Sequence, residues 1–495
     1  MSRWYLVFLL ILIFLVHSFS LNFPFLSDDV TGIAENINLT NFSESLNQNK
    51  FGFVFVLIRY MTAIVSGQSP ILYRLVNILF HLGSVLMVYK IFRKNGEWRA
   101  LSISGLFGLH PLTVESITWI SGAPYSIMGF FALLTYYLYT HTSKVKYFWS
   151  LVTFVCAISV NILAISLVPI LLIRNFLTPA NKDKKIIIVF LTILSVLFAY
   201  LMITKASSRQ QLIEVDTGQQ VDIKNPLISI PIAISKYTFL YYFPEKLSLY
   251  QSELSTGFLG FGLGLLITIS IVALAIFLIY RKKETGFWLA WSVLALGVTL
   301  IPTGLTWIVA ERYSYLSLVG ISVITVNLLE RIFYRKINKD YLYLLVFLLG
   351  LAIVLRTGFR ISDWRSNEAL WTATAKTSPS SPHTHLNLGY VYNLKGDYNK
   401  AIKLFDLSLS INPNNAATWF HKGESLRMLG KYQNAVEMYK KCLELNPTIW
   451  QAARSMAVTF IAMDDKEKAL ESFNLAKKYA PTNDQGMLLI EKMLK

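Results

Sequence analysis

Between Phe258 and Tyr280 the chain reads FLGFGLGLLITISIVALAIFLIY, a run without a charged residue that ends on Arg281-Lys282-Lys283. A helix of that length, rising about 1.5 Å per residue, crosses the roughly 30 Å hydrocarbon core of a bilayer. Comparable runs recur at Trp4–Ser20, Ile71–Phe92, Tyr125–Thr140, Ile186–Thr204, Phe287–Leu305, Tyr313–Leu329 and Tyr341–Leu355. Of the 495 residues, 54% are hydrophobic and only 15% charged, and the mean hydropathy is +0.47. No soluble protein of this length has that profile. The runs are long and unbroken, which excludes the ten-residue alternation of an outer-membrane barrel and points to a helical membrane protein.

The formal charge of +17 suggests nucleic acid in a soluble protein, but here Lys and Arg sit in short loops between apolar runs, as positive-inside topology requires. Nucleic acid is therefore not an expected partner. Two cysteines, Cys156 in an apolar run and Cys442 near the C-terminus, give neither a disulfide framework nor a thiolate metal site. The segment Met1–Ser20 resembles a signal peptide, but Phe19 and Leu21 flank Ser20 where cleavage needs small residues, so a retained first span is expected. The loop Leu21–Pro70 holds Asp28, Asp29, Glu35 and Glu44 and reads as exterior. Its triplets at Asn38 and Asn41 are of the N-glycosylation type. Phe51–Val65, interrupted by Arg59, reads as a helix lying along the interface. Tyr147–Ile173 is long for one crossing; the basic loop from Arg174 to Lys185 favours two short helices meeting near Asn161. Gly260 and Gly264 read as close helix packing rather than a nucleotide loop. The count comes to eleven crossings, with the N-terminus cytoplasmic and everything after Gly358 on the exterior or lumenal side of a bacterial inner membrane or endoplasmic reticulum.

After Ser362 the composition turns polar. Pro379, Pro413, Pro447 and Pro481 recur every 34 residues, and Ala401, Ala435 and Ala469 keep that period. So do Gly389, Gly423 and Ala457, and so do Phe405, Tyr439 and Phe473. Small residues where helices cross, an aromatic four positions after the Ala, and a closing Pro make the tetratricopeptide pattern. The expected class is thus all-α: a polytopic membrane domain at 1–358, a linker and half-repeat helix at 359–378, repeats at 379–481, and a capping helix at 482–495. Trp364–Lys376 reads as that half-repeat helix. His383, His385 and His421 lack companions at ligand spacing and are expected in solvent or in the groove.

Three places carry candidate chemistry. In Phe23-Pro24-Phe25-Leu26-Ser27-Asp28-Asp29-Val30 the two acids either cap a helix starting at Val30 or supply a general base for an acceptor hydroxyl. In the segment from His110 to Trp119, Glu115 lies at a membrane boundary, where a carboxylate seeks a partner. It either meets a sugar or pairs with Arg59 or Arg312, and His110 joins it as a substrate-binding candidate. In Ala310-Glu311-Arg312-Tyr313, the planar fork of Arg312 suits a lipid phosphate, as does Arg59 upstream.

The order of these motifs carries a resemblance. It runs from the acidic loop to Tyr73, Asn77 and His81, then Leu109-His110-Pro111, Val114-Glu115-Ser116 and Trp119-Ile120. Glu311-Arg312-Tyr313, Tyr315-Leu316, Trp364 and Leu370-Trp371 then lead into the repeats. In this it resembles the transmembrane-and-tetratricopeptide O-mannosyltransferase family. The resemblance implies a GT-C glycosyltransferase fold and transfer of a sugar, mannose in the best-known members, from a polyprenyl-phosphate carrier to Ser or Thr of exported protein. The catalytic acid of that fold maps to Asp28 or Asp29, and the repeats would present the acceptor polypeptide. No cofactor is implied beyond the lipid-linked donor, and a divalent metal has no residues speaking for it. Arg74 and Ser317 stand where the family usually has His and Pro, and Val160-Asn161 where it has Lys-Glu. A membrane-anchored scaffold for an exported or envelope assembly, without catalysis, is the alternative expectation.

Overall fold

The computed structural model describes residues 2–49, 52–141, 143–178, 184–200, 225–300, 307–333, 339–481 and 484–494. The expected span ends at Thr204 and Leu305, the exterior stretch 205–224, and parts of the basic loops at Lys182 and Arg335 lie outside them. The fold is all-α, with no strand among the described residues. It divides into two compact units, one within Met1–Leu370 and one from Trp371 onward. The division falls inside the Asn367–Thr377 helix. Trp364, expected within that helix, lies in the turn before it and is fully buried.

In the first unit Phe258–Tyr280 forms one helix, as its uncharged run dictates. Leu259, Leu266 and Ile276 are each more than half exposed along it, an apolar outer surface that suits lipid. Gly264 provides its inner contact: a Cβ there would lie 2.9 Å from the Pro231 carbonyl of the Pro226–Tyr242 helix. Gly260 packs differently, facing Ser255 of its own preceding turn rather than another helix. Against the eleven expected crossings, two helices among the described residues, Pro70–Asn95 and Phe258–Tyr280, are long and apolar enough to cross a membrane alone. A third appears if Pro111–Thr118 and Ile120–Tyr139, bent by 105°, count as one. Several expected spans form helices shorter than a crossing, Ser2–Ser18, Ala123–Tyr139 and Glu284–Leu294 among them. The expected meeting of two short helices falls at Asn161. Its side chain accepts a 3.0 Å hydrogen bond from Leu163 N, separating Lys144–Val160 from the 3-10 turn Ile162–Ser166 and the helix Leu167–Leu177.

In the second unit the 34-residue lattice becomes three helix pairs. These are Pro382–Leu394 with Tyr398–Ile411, Ala416–Met428 with Tyr432–Leu445, and Trp450–Ala462 with Lys466–Lys477; Gln485–Leu494 follows. Asp397, Asn415 and Asp465 cap helix starts by accepting backbone N–H groups at 3.1–3.2 Å. The turns within the pairs need a left-handed residue, supplied by Gly396, Gly430 and Asp464 at φ +80°, +73° and +59°. Ala401, Ala435 and Ala469 are wholly buried at the crossings. His383 and His385 are not solvated: both are under 9% exposed, and His385 Nε2 donates to the Pro379 carbonyl at 2.7 Å. The first turn of their helix faces inward, which takes both rings out of water. His421 packs among rings, 5.0 Å from Tyr390 and 5.1 Å from Phe420.

The small-residue column is tight. A Cβ on Gly423 would sit 2.6 Å from Tyr439 Cε1, and the Tyr439 hydroxyl, bonded to Glu424 at 2.5 Å, holds the ring in place. Gly423→Val should cost about 2 kcal/mol by overpacking. Calorimetry of the full chain should show the repeat transition lowered by at least about 4 °C; an unchanged midpoint would contradict this packing.

Candidate active site

The acidic loop follows the Ser2–Ser18 helix and is tied down from several directions. Arg74, fully buried on the Pro70–Phe92 helix, donates to the carbonyls of Phe23, Pro24 and Thr118. One turn later Asn77 donates to Ile117 O at 3.1 Å and Trp119 O at 3.4 Å. These bonds join the loop to the Pro111–Gly122 segment where the helix bends. Gly122 permits the bend, since a Cβ there would lie 2.5 Å from the Glu115 carbonyl.

The two adjacent acids part company. Asp29 is fully buried, and its Oδ1 accepts from Ser121 N at 2.7 Å and Ser121 Oγ at 2.6 Å. Its Oδ2 accepts from Leu26 N at 3.3 Å. The expected cap of a helix at Val30 is not made: Asp29 gives no side-chain bond to the π-type turn Val30–Ala34, because Ser121 has claimed its carboxylate. Burial raises its pKa, only partly opposed by the Ser121 and Leu26 bonds and by Arg74. Asp28 is exposed, and the Ser27 hydroxyl donates to it at 3.3 Å.

Glu115, wholly buried, meets Arg312 rather than Arg59: Nη1 donates to Oε1 at 2.5 Å and Arg312 N to Oε2 at 3.1 Å. The guanidinium lies 4.9 Å from the Tyr313 ring centre and 5.5 Å from that of Trp119. Burial works against its charge, yet Glu115 outweighs it and holds the pKa above the ordinary arginine value. Tyr250 lies within the electrostatic reach of Asp28, Glu115 and Arg312 at once; burial and the two acids raise its phenol, and Arg312 lowers it. The Tyr250 ring stacks on Trp307 at 4.3 Å.

Glu311 turns inward. It accepts from Arg360 Nη2 at 3.0 Å, Arg360 Nε at 3.1 Å and Ser248 N at 2.5 Å, while Arg360 Nη1 reaches Asp363 at 3.2 Å. His110, a substrate-binding candidate in the sequence, is held as a brace between two backbone groups. Nδ1 accepts from Leu112 N at 3.2 Å and Nε2 donates to the Tyr241 carbonyl at 3.0 Å, so both nitrogens are used. Arg59 donates to the Gly32 carbonyl, and its Nε is buried without a partner. It lines a small cleft with Ile33, Phe55, Tyr73, Ile120 and Ser121. Among the described residues no three His, Cys, Asp or Glu side chains are grouped to hold a metal.

Of the residues the sequence brought into consideration, the structure pairs Glu115 with Arg312, buries Asp29 against Ser121 and leaves Asp28 exposed. Arg59 lies in the adjoining cleft. Sequence reasoning missed Arg74, Ser121, Tyr250 and Arg360. The available signal was a charged residue on each of two apolar helices, which has to be matched by a polar partner inside the bundle.

Residues 380–448 match the tetratricopeptide repeat family model. Over 454 residues the chain is 21% identical to human protein O-mannosyl-transferase TMTC3, covering 77% of this chain and 48% of that protein. It is 20% identical over 365 residues to the Caenorhabditis elegans protein O-mannosyl-transferase F38B6.6, covering 68% and 51%. The chain is similar to the tetratricopeptide-containing protein O-mannosyltransferases. The resemblance read from the sequence holds. The chain spans about half the length of the curated relatives it matches. Among solved structures, the Arabidopsis OM64 TPR domain is 18% identical, covering 23% of this chain and 93% of that one, at a TM-score of 0.23, a likeness on which nothing rests.

Burial pushes the Glu311 carboxyl from 4.5 up to about 7, against the pull of Arg360. Between those values the folded chain holds a proton that the unfolded chain has lost. Stability from this group is therefore fully present below about pH 4.5, falls as pH rises toward 7, and levels off above it. Asp29 adds a slope of the same sign, so the readout is a difference. Thermal midpoints of the purified chain measured from about pH 5 to 8 should fall more steeply for wild type than for Glu311→Gln.

Proposed function

We propose that the chain is a membrane glycosyltransferase of the GT-C type that moves a sugar, mannose by its similarities, from a polyprenyl-phosphate carrier to Ser or Thr hydroxyls of exported protein. The observation that carries this reading is the division of labour in the acidic loop. Asp29 is locked by Ser121, Asp28 stands exposed, and Arg312 is paired with the buried Glu115. Asp28 takes the proton from the acceptor hydroxyl as its oxygen attacks the anomeric carbon. The bond from that carbon to the carrier phosphate breaks, and the phosphate leaves with the electron pair, inverting the centre. Arg59, with a spare N–H inside an apolar cleft beside Ser121, suits the carrier phosphate. Arg312, already neutralised by Glu115, instead orders the sugar's surroundings and adds field to the departing charge. The repeats bring acceptor polypeptide to the membrane, raising its local concentration. In this reading the shorter and bent helices complete the crossings, and loop and repeats share the exterior or lumenal side.

Transfer from mannosyl-phosphopolyprenol to a Ser/Thr-containing peptide, assayed in membranes, tests this. Asp28→Asn should lower kcat by at least about 100-fold, the usual scale of a lost general base. Arg59→Met should instead raise KM for the lipid donor by about tenfold, near 1.4 kcal/mol of binding. Full activity of the Asp28 variant would remove the base. Absence of transfer by the wild type, with acceptor binding retained, would favour the non-catalytic scaffold.

A further inference from the structure

Ser27 is one of three non-glycine residues with positive φ among the described residues, at +51°. L side chains rarely rest in that region unless their surroundings impose it. Within the loop, its carbonyl accepts from Val30 N at 3.1 Å, and Asp29 N donates to Leu26 O at 3.0 Å, so Ser27 is the bend of a tight turn. The Ser27 N–H is held from far along the chain: it donates to the side-chain oxygen of Asn367, 340 residues away, at 3.1 Å. Asn367 opens the Asn367–Thr377 helix, whose start is fixed by Ser366, which accepts from Ala369 N through its hydroxyl at 3.1 Å and from Leu370 N at 2.9 Å. Trp364, three residues earlier, is fully buried and stacks on Trp119 at 6.0 Å. The acceptor is thus carried by an anchored element, while the donor sits in the least favourable backbone conformation of the loop.

We propose that Asn367 is a positioning residue for Asp28: by accepting the Ser27 N–H it keeps Ser27 left-handed and so fixes the direction of the exposed carboxylate that follows. The Ser27 hydroxyl, which donates to Asp28, is carried in the same setting. Loss of the acceptor leaves a half-buried N–H unsatisfied and removes what holds the turn, so Ser27 relaxes to negative φ and Asp28 swings away. Asn367 does not touch the reacting atoms. It is itself half-buried, so its replacement leaves the packed interior intact. The inference rests on Asp28 being the base.

The test uses the full chain in lipid nanodiscs, as wild type, Asn367→Ala and Asn367→Asp, with two readouts. Amide hydrogen exchange over residues 23–30 reports the turn, and transfer from mannosyl-phosphopolyprenol to a Ser/Thr peptide reports catalysis. In the Ala variant, exchange at the turn should quicken about tenfold. Its kcat should fall about tenfold with both KM values within about twofold, the signature of a misplaced group rather than lost binding. The Asp variant, which keeps an acceptor oxygen, should restore both. Unchanged exchange in the Ala variant overturns the proposal. Quickened exchange with unchanged kcat overturns it too, because the turn would then not govern the carboxylate. Absence of transfer by the wild type overturns the enzyme reading instead, and exchange still decides whether Asn367 holds the turn.

Discussion

A guanidinium buried among backbone carbonyls is the contact on which the rest of the first unit depends. Arg74 has no exposed surface, and its donors go to the carbonyls of Phe23, Pro24 and Thr118. An arginine placed inside an apolar bundle costs at least about 2.5–3.5 kcal/mol. Hydrogen bonds from a charged group contribute about 1.5–3 kcal/mol each, so three outweigh that cost. The arrangement is favourable only while all three carbonyls are present. It therefore specifies a single relation between the loop after the first helix and the bend at Thr118–Gly122. The length of the Arg74 side chain lets it reach the carbonyls of two segments at once.

Once that relation is set, the different fates of two neighbouring carboxylates follow. The bend brings Ser121 to the loop, and its N–H and hydroxyl both go to Asp29. Successive residues of a tight turn point different ways, so fixing Asp29 inward leaves Asp28 outward. Glu115 and Glu311 divide similarly. Glu115 takes Arg312, and Glu311 takes Arg360 together with Ser248 N, which anchors the segment carrying Tyr250. Each of these buried acids has a named cation or pair of N–H and O–H donors, as low-dielectric surroundings demand. Asp28 is the one of these four acids left in water.

The repeat unit was legible almost completely, because its contacts are local: Gly423 meets Tyr439 within one 34-residue period, and periodicity reports such packing directly. Apolar helices were legible as elements, and so was the break near Asn161, from the basic loop that follows it. The 105° bend between Pro111–Thr118 and Ile120–Tyr139 was not, because it depends on close backbone packing at Gly122 that composition does not show. At the site, acids and cations announced themselves by being costly in apolar sequence; for Glu115 the candidates were a sugar, Arg59 or Arg312, and the structure selects Arg312. Arg312 lies 197 residues from Glu115 and Asn367 lies 340 from Ser27, and neither distance leaves a trace in local pattern. The bond from His110 to the Tyr241 carbonyl, 131 residues on, is equally absent from local pattern.

Carboxylate labelling probes the claim that the loop buries one acid and offers the other. Native membranes would be treated with a water-soluble carbodiimide and a charged amine, and residues 23–30 analysed by mass spectrometry. The structure requires modification at Asp28 with Asp29 protected. Equal modification of both, or modification of Asp29 alone, would contradict it.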